Sequence, residues 1–112
     1  MQQVQEISVK ALAERMQSED NVQLVDVREP QELEMASIEG FDNFPLSRFS
    51  EWGEQIKTRL DPDLETLVIC HHGMRSAQMC QWLIGQGFTN VKNVAGGIDA
   101  YSVLVNPQVP RY

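Results

Sequence analysis

Thr66-Leu67-Val68-Ile69-Cys70 carries no charge and no alternation of polar with apolar residues. An extended segment that is apolar on both faces must be covered on both, which places it inside a largely parallel sheet. Val22-Gln23-Leu24-Val25-Asp26-Val27 reads as a second central strand, rich in β-branched residues and ending in charge. Segments with helical spacing separate these runs, so the chain predicts an α/β fold of three layers. Its central, mostly parallel sheet of about five strands is flanked by helices.

The remaining elements follow from local chemistry. Val4 to Ile7 is a short first strand, and Ser8 an N-cap for a helix through about Gln17 with Leu12, Ala13 and Met16 on one face. Glu29-Pro30-Gln31-Glu32 suits a helix start, because Pro fits the first turn and acids complement the N-terminal dipole. Phe41 to Phe44 forms a strand closed by Pro45, and a helix from about Ser47 to Arg59 turns Phe49, Trp52 and Ile56 inward. Asp61-Pro62-Asp63 is a turn. A helix from Ser76 to about Gln86 follows Cys70, with Met79, Cys80, Leu83 and Ile84 at core spacing. Val91 to Val94 is the last strand, and Gly96-Gly97 opens a short final helix. Residues 1–112 read as one domain, with a core over about 4–105 and a tail over 106–112 that Pro107 and Pro110 keep from being helical.

Charge narrows the partners. A net charge of −7 excludes the basic surface that nucleic acid or an anionic membrane would require. No apolar run is long enough to span a bilayer, and Met1-Gln2-Gln3-Val4-Gln5-Glu6 lacks the features of a signal peptide. The expected location is the cytoplasm, where thiols stay reduced. No broad apolar surface stripe is evident, so a monomer is expected. The two histidines are adjacent in one loop and provide no zinc set, and no cofactor is implied.

The chemistry concentrates in Cys70-His71-His72-Gly73-Met74-Arg75-Ser76. A cysteine at the carboxyl end of a central strand, followed by a Gly-containing loop and a helix, faces backbone N–H groups and a helix N-terminus. Both favour a thiolate or an anion attached to it. Cys80 falls in register with Ala77 and Ile84 and reads as a buried core residue. Phosphate-transferring cysteine enzymes have one residue more between Cys and Arg than the four that separate Cys70 from Arg75. The shorter loop fits a smaller group, such as one extra sulfur atom, and disfavours a phosphatase or arsenate reductase.

At this point the chain resembles the rhodanese-like sulfurtransferases in their single-domain form. The motifs are Val25-Asp26-Val27-Arg28-Glu29-Pro30-Gln31-Glu32-Leu33, Ile38-Glu39-Gly40-Phe41-Asp42-Asn43-Phe44-Pro45-Leu46, the Cys70–Arg75 loop and Val94-Ala95-Gly96-Gly97-Ile98-Asp99-Ala100-Tyr101. They stand in the family's order and span most of the chain. One departure is Ser37, where the family often has histidine. The resemblance implies a double displacement. Cys70 attacks the outer sulfur of a small anionic donor such as thiosulfate, releases sulfite and becomes a persulfide. Cyanide, a thiol or an acceptor protein then removes that sulfur.

Within this reading Cys70 is catalytic, and His71, His72, Gly73, Met74, Arg75 and Ser76 bind substrate. Arg75 is the first choice for the donor's oxygens, because its planar fork suits oxyanions. Asp26 and Arg28 organise the loops near the site, while Trp52 and Trp82 pack in the core or at its rim. Met74 lies exposed at the loop apex and shapes the mouth. A rival reading is a persulfide carrier that docks a protein donor and uses thiosulfate poorly.

Overall fold

The structure is a computed structural model, and it describes residues 3–18 and 21–112. Five strands form one sheet in the order β1-β5-β4-β2-β3: β1 (Gln5–Ile7), β2 (Val22–Asp26), β3 (Asp42–Asn43), β4 (Glu65–Ile69) and β5 (Val91–Val94). Every pairing is parallel, so the expected three-layer α/β fold is what the chain adopts. The apolar run that demands two covering layers, β4, lies in the centre of the sheet.

Side-chain alternation divides the core in two. Val68 and Cys70 join Val25, Val27 and Val91 on one face, beneath Trp52 of α3 (Phe49–Trp52), Ile56 of α4 (Ile56–Arg59) and Met79, Cys80 and Leu83 of α5 (Met74–Gly85). Leu67, Ile69 and Val94 take the other face, against Val9 and Leu12 of α1 (Val9–Gln17) and Ile98 and Tyr101 of α6 (Gly97–Leu104). Burial of these apolar side chains supplies the main stabilisation, about 1.5–3 kcal/mol for each large one. α2 (Pro30–Met35) starts as its sequence indicates: Glu29 and Glu32 form a reciprocal capping box, with Pro30 in the first turn. Ser8 caps α1 by accepting the Ala11 N–H at 3.1 Å.

Three expectations need correction. The continuous helix over 47–59 is instead a series of single turns, in which 3-10 turns at Leu46–Arg48 and Gly53–Gln55 alternate with α3 and α4. The breaks fall where Arg48, Trp52 and Gln55 leave helical dihedrals, at φ −109°, −113° and −97°. Gly53 itself is helical and makes room for the Phe49 ring, which an added Cβ would meet at 3.0 Å. Phe49 also does not point inward. It is 41% exposed and lies edge-on to Trp52 and Trp82, closing the rim of the core. The helix after the cysteine loop begins two residues earlier than Ser76, at Met74.

The segment after α6 folds back onto the body. Val109 is buried in the α1/α6 core, and the Ser102 hydroxyl donates to its carbonyl. That return brings Tyr112 against the cysteine loop.

Candidate active site

β4 delivers Cys70 at its carboxyl end, and strand alternation turns the side chain towards α5. The residue is 1% exposed. Two donors reach its sulfur: the Gly73 N–H at 3.0 Å and the Ser76 hydroxyl at 3.2 Å. Gly73 adopts φ +108°, a conformation that favours glycine, and this turns its N–H back into the loop. The loop's outer carbonyls are held by α6, whose Ile98 and Asp99 N–H groups donate to Cys70 O at 2.9 Å and His71 O at 3.1 Å. The approach requires Gly97, because a Cβ there would lie 2.5 Å from Cys70 O and 2.4 Å from His71 O. Carbonyls drawn outward leave the inner side of the loop to donors, which suits a thiolate or persulfide anion.

Asn93 completes this shell. It lies on β5 in the same alternation as Val91, so it faces α5, and it is only 4% exposed. Its Nδ2 donates to Gly73 O at 3.0 Å and to Glu6 Oε2 at 2.8 Å, and its Oδ1 faces the Ser76 hydroxyl at 2.5 Å. Its sequence signal was a polar residue on the same strand face as Val91, since buried polar groups need partners.

Arg75, the expected fork for the donor's oxygens, already holds a carboxylate. Its guanidinium forks onto Glu32 of α2, with Nη1 to Oε1 at 2.6 Å and Nη2 to Oε2 at 2.9 Å. Glu32 Oε2 also accepts from the Tyr112 hydroxyl at 2.8 Å, and that hydroxyl accepts from Arg28 Nη1 at 2.9 Å. Arg28 in turn grips Asp26 with Nη2 to Oδ2 at 2.8 Å, and both are buried. One chain of charge therefore joins the end of β2, α2, the chain's last residue and the cysteine loop. The fork from Arg75 holds the Glu32 carboxyl down at about 2, and burial pushes the Tyr112 phenol up to about 12.

Glu32 thus makes a pH-dependent contribution. Its folded value lies below the ordinary 4.5, so the stabilisation is complete above pH 4.5 and fades as pH falls towards 2. Half-exposed Arg75 is screened by solvent, and the pair is worth about 1 kcal/mol. Urea unfolding of wild type and Glu32→Gln should therefore differ by about that amount at pH 7 and converge near pH 2. An equal gap at both pH values would remove Glu32 as the titrating group.

The two histidines occupy different settings. The His71 ring lies between the His72 and Tyr112 rings, 3.9 Å from each centroid, and its Nε2 is buried without a partner among the described residues. Burial and the neighbouring His72 lower its pKa, which favours the neutral ring. The exposed His72 approaches Asp99 at 3.9 Å. Ligand atoms of His71, His72 and Asp99 fall within 4.8 Å of one another, but Arg111 engages both Asp99 oxygens and the histidine rings are stacked. Met74 is 79% exposed beside the loop. Ser76 is fully buried, with its hydroxyl against the Cys70 sulfur. Cys80 is buried, and burial pushes its thiol up to about 12, which leaves it inert.

Comparison with known proteins agrees with this geometry. Residues 8–103 match the rhodanese-like domain. The rhodanese-like/PpiC domain-containing protein 12, chloroplastic, of Arabidopsis thaliana is 46% identical over 97% of this chain, which spans only 38% of that protein's length. The putative sulfurtransferase YtwF of Bacillus subtilis is 36% identical, covering 95% of this chain and 98% of its own. A crystal structure of a rhodanese-related protein from Thermoplasma volcanium superposes with a TM-score of 0.73 at 32% identity, covering 95% of both chains. With this sheet order and a cysteine loop braced by α6, the chain belongs to the rhodanese-like sulfurtransferase family.

Proposed function

We propose that the chain transfers sulfane sulfur from thiosulfate, or a closely related small anionic donor, to a thiophilic acceptor through a Cys70 persulfide. The observation that carries this reading is the pair of donors converging on one buried sulfur, Gly73 N–H and Ser76 O–H. In the first step the Cys70 thiolate forms an S–S bond to the outer sulfur of thiosulfate. The electron pair of the broken S–S bond leaves with sulfite, and Cys70 holds the persulfide anion. In the second, cyanide attacks the outer persulfide sulfur, departs as thiocyanate and regenerates the thiolate; a thiol acceptor leaves as its own persulfide.

Arg75 takes part by exchanging partners. Its fork fits the sulfonate oxygens of thiosulfate as well as it fits Glu32, so a bound donor competes with Glu32 for the guanidinium. His71 and His72 line the same side of the loop, and Met74 presents an apolar contact at its mouth. Asp26 and Arg28 act on the site through Tyr112. The reaction requires no resident metal or cofactor, and free Cys70 and Cys80 suit a reducing compartment such as the cytoplasm. The chain works as a monomer in this reading.

Incubation with thiosulfate should add the mass of one sulfur atom to the intact protein, and cyanide should remove it. The occupied Arg75 favours one second reading, a carrier loaded by another protein's persulfide. In that case thiosulfate leaves the mass unchanged while a persulfide-bearing protein adds the sulfur. No adduct from either source would end both readings.

A further inference from the structure

The Ser76 hydroxyl has one hydrogen and two neighbours that want it. Cys70 Sγ lies 3.2 Å away and Asn93 Oδ1 lies 2.5 Å away. The orientation of the Asn93 amide is fixed by chemistry. Its other end meets only acceptors, Gly73 O and Glu6 Oε2, so that end must be the NH2 and the oxygen must face Ser76. An amide whose NH2 donates to a carboxylate is polarised, which strengthens its oxygen as an acceptor.

Counting hydrogens gives two states. With Cys70 as a thiol, S–H donates to Ser76 Oγ and Ser76 O–H donates to Asn93 Oδ1, so every group is satisfied. With Cys70 as a thiolate, the sulfur has no hydrogen to give. The thiol proton has gone to solvent, and the Ser76 hydrogen turns from Asn93 to the sulfur without breaking its O–H bond. Asn93 Oδ1 then faces an oxygen lone pair at short range.

The geometry points to Asn93 as a positioning residue that competes with the Cys70 sulfur for the Ser76 hydrogen, and so sets how readily Cys70 becomes a thiolate. The inference deepens the sulfur-transfer reading, since the attacking and the regenerated species are both thiolates. Other charged or titratable groups around the loop are Arg75 and Cys80 on α5, Glu6 on β1, Glu32 on α2, Asp99 on α6, and His71, His72 and Tyr112. Of these, Glu6 is the group that Asn93 bonds directly, so an Asn93 substitution also removes a donor from that carboxylate.

The test follows the rate of Cys70 alkylation by iodoacetamide against pH, with Cys80 counted separately by peptide mass. It reads the thiol without any sulfur donor, so the outcome stands whether or not thiosulfate proves to be a substrate. Ser76→Ala should raise the midpoint. Asn93→Ala should lower it by about half a unit, about a threefold gain in thiolate below the midpoint. In the Ser76→Ala background the Asn93 substitution should lower it no further, because a residue acting through Ser76 has nothing left to act on. Asn93→Leu, nearly the same shape, serves if the alanine variant does not fold. An Asn93 effect of equal size in both backgrounds, a raised midpoint on its loss, or no change in Ser76→Ala would overturn the proposal.

Discussion

Cys70→Ser is expected to lose sulfur transfer by about four orders of magnitude or more, the scale seen when a covalent nucleophile is removed. Serine nearly matches cysteine in shape and can accept the same bonds from Gly73 N–H and Ser76 O–H. What it lacks is a polarisable sulfur that can attack as a thiolate. The variant should stay folded with an unchanged circular dichroism spectrum, because Cys70 makes up little of the apolar core around it. Thiosulfate should add no mass to it, and thiocyanate should not form above the uncatalysed rate. Cys80 provides an internal control: held near 12 by burial, it should take up no sulfur in either protein. A sulfur adduct that persists in Cys70→Ser would show that another group carries the chemistry.

The sheet was legible because its central strands announce themselves. An uncharged, unalternating run must be covered on both faces, and β4 is. Cys70 was legible for a related reason, as the residue at the carboxyl end of that strand. Less legible was everything that depends on residues distant in sequence. Arg75 looks like a free anion fork until α2 brings Glu32 to it, 43 positions away. Tyr112 lies in a stretch that reads as a tail, yet it stacks on His71 and bonds Glu32 and Arg28. Asn93 had a local signal, but its partners Ser76 and Glu6 come from separate elements. The long helix over 47–59 failed differently. Its apolar spacing was real, but the backbone leaves helical dihedrals at Arg48, Trp52 and Gln55 and so divides into short turns.

Arg28→Met should be the most destabilising of these substitutions, at about 3–5 kcal/mol, because it strands a buried charge. Arg28 is fully buried and Asp26 is 3% exposed. Burial works against the Arg28 charge, but its bonds to Asp26 and Tyr112 hold its pKa above the usual value. Methionine fills much of the same volume and provides no donor, so the Asp26 carboxylate keeps only the Arg28 backbone N–H, at 3.0 Å from Oδ1. A domain of this size has about 5–15 kcal/mol in total, so the loss takes a large share. Urea denaturation should show a much lower midpoint with a similar slope. Asp26→Asn combined with Arg28→Met should recover part of the loss, since no unpaired charge remains. The combination should still impair sulfur transfer, because Tyr112 has lost the donor that fixes its hydroxyl, and with it the ring that stacks on His71 in the cysteine loop. Full recovery of activity together with stability would mean that the pair serves the fold alone. Recovered stability with activity still low would place the Asp26–Arg28 pair behind the cysteine loop, acting on it through Tyr112.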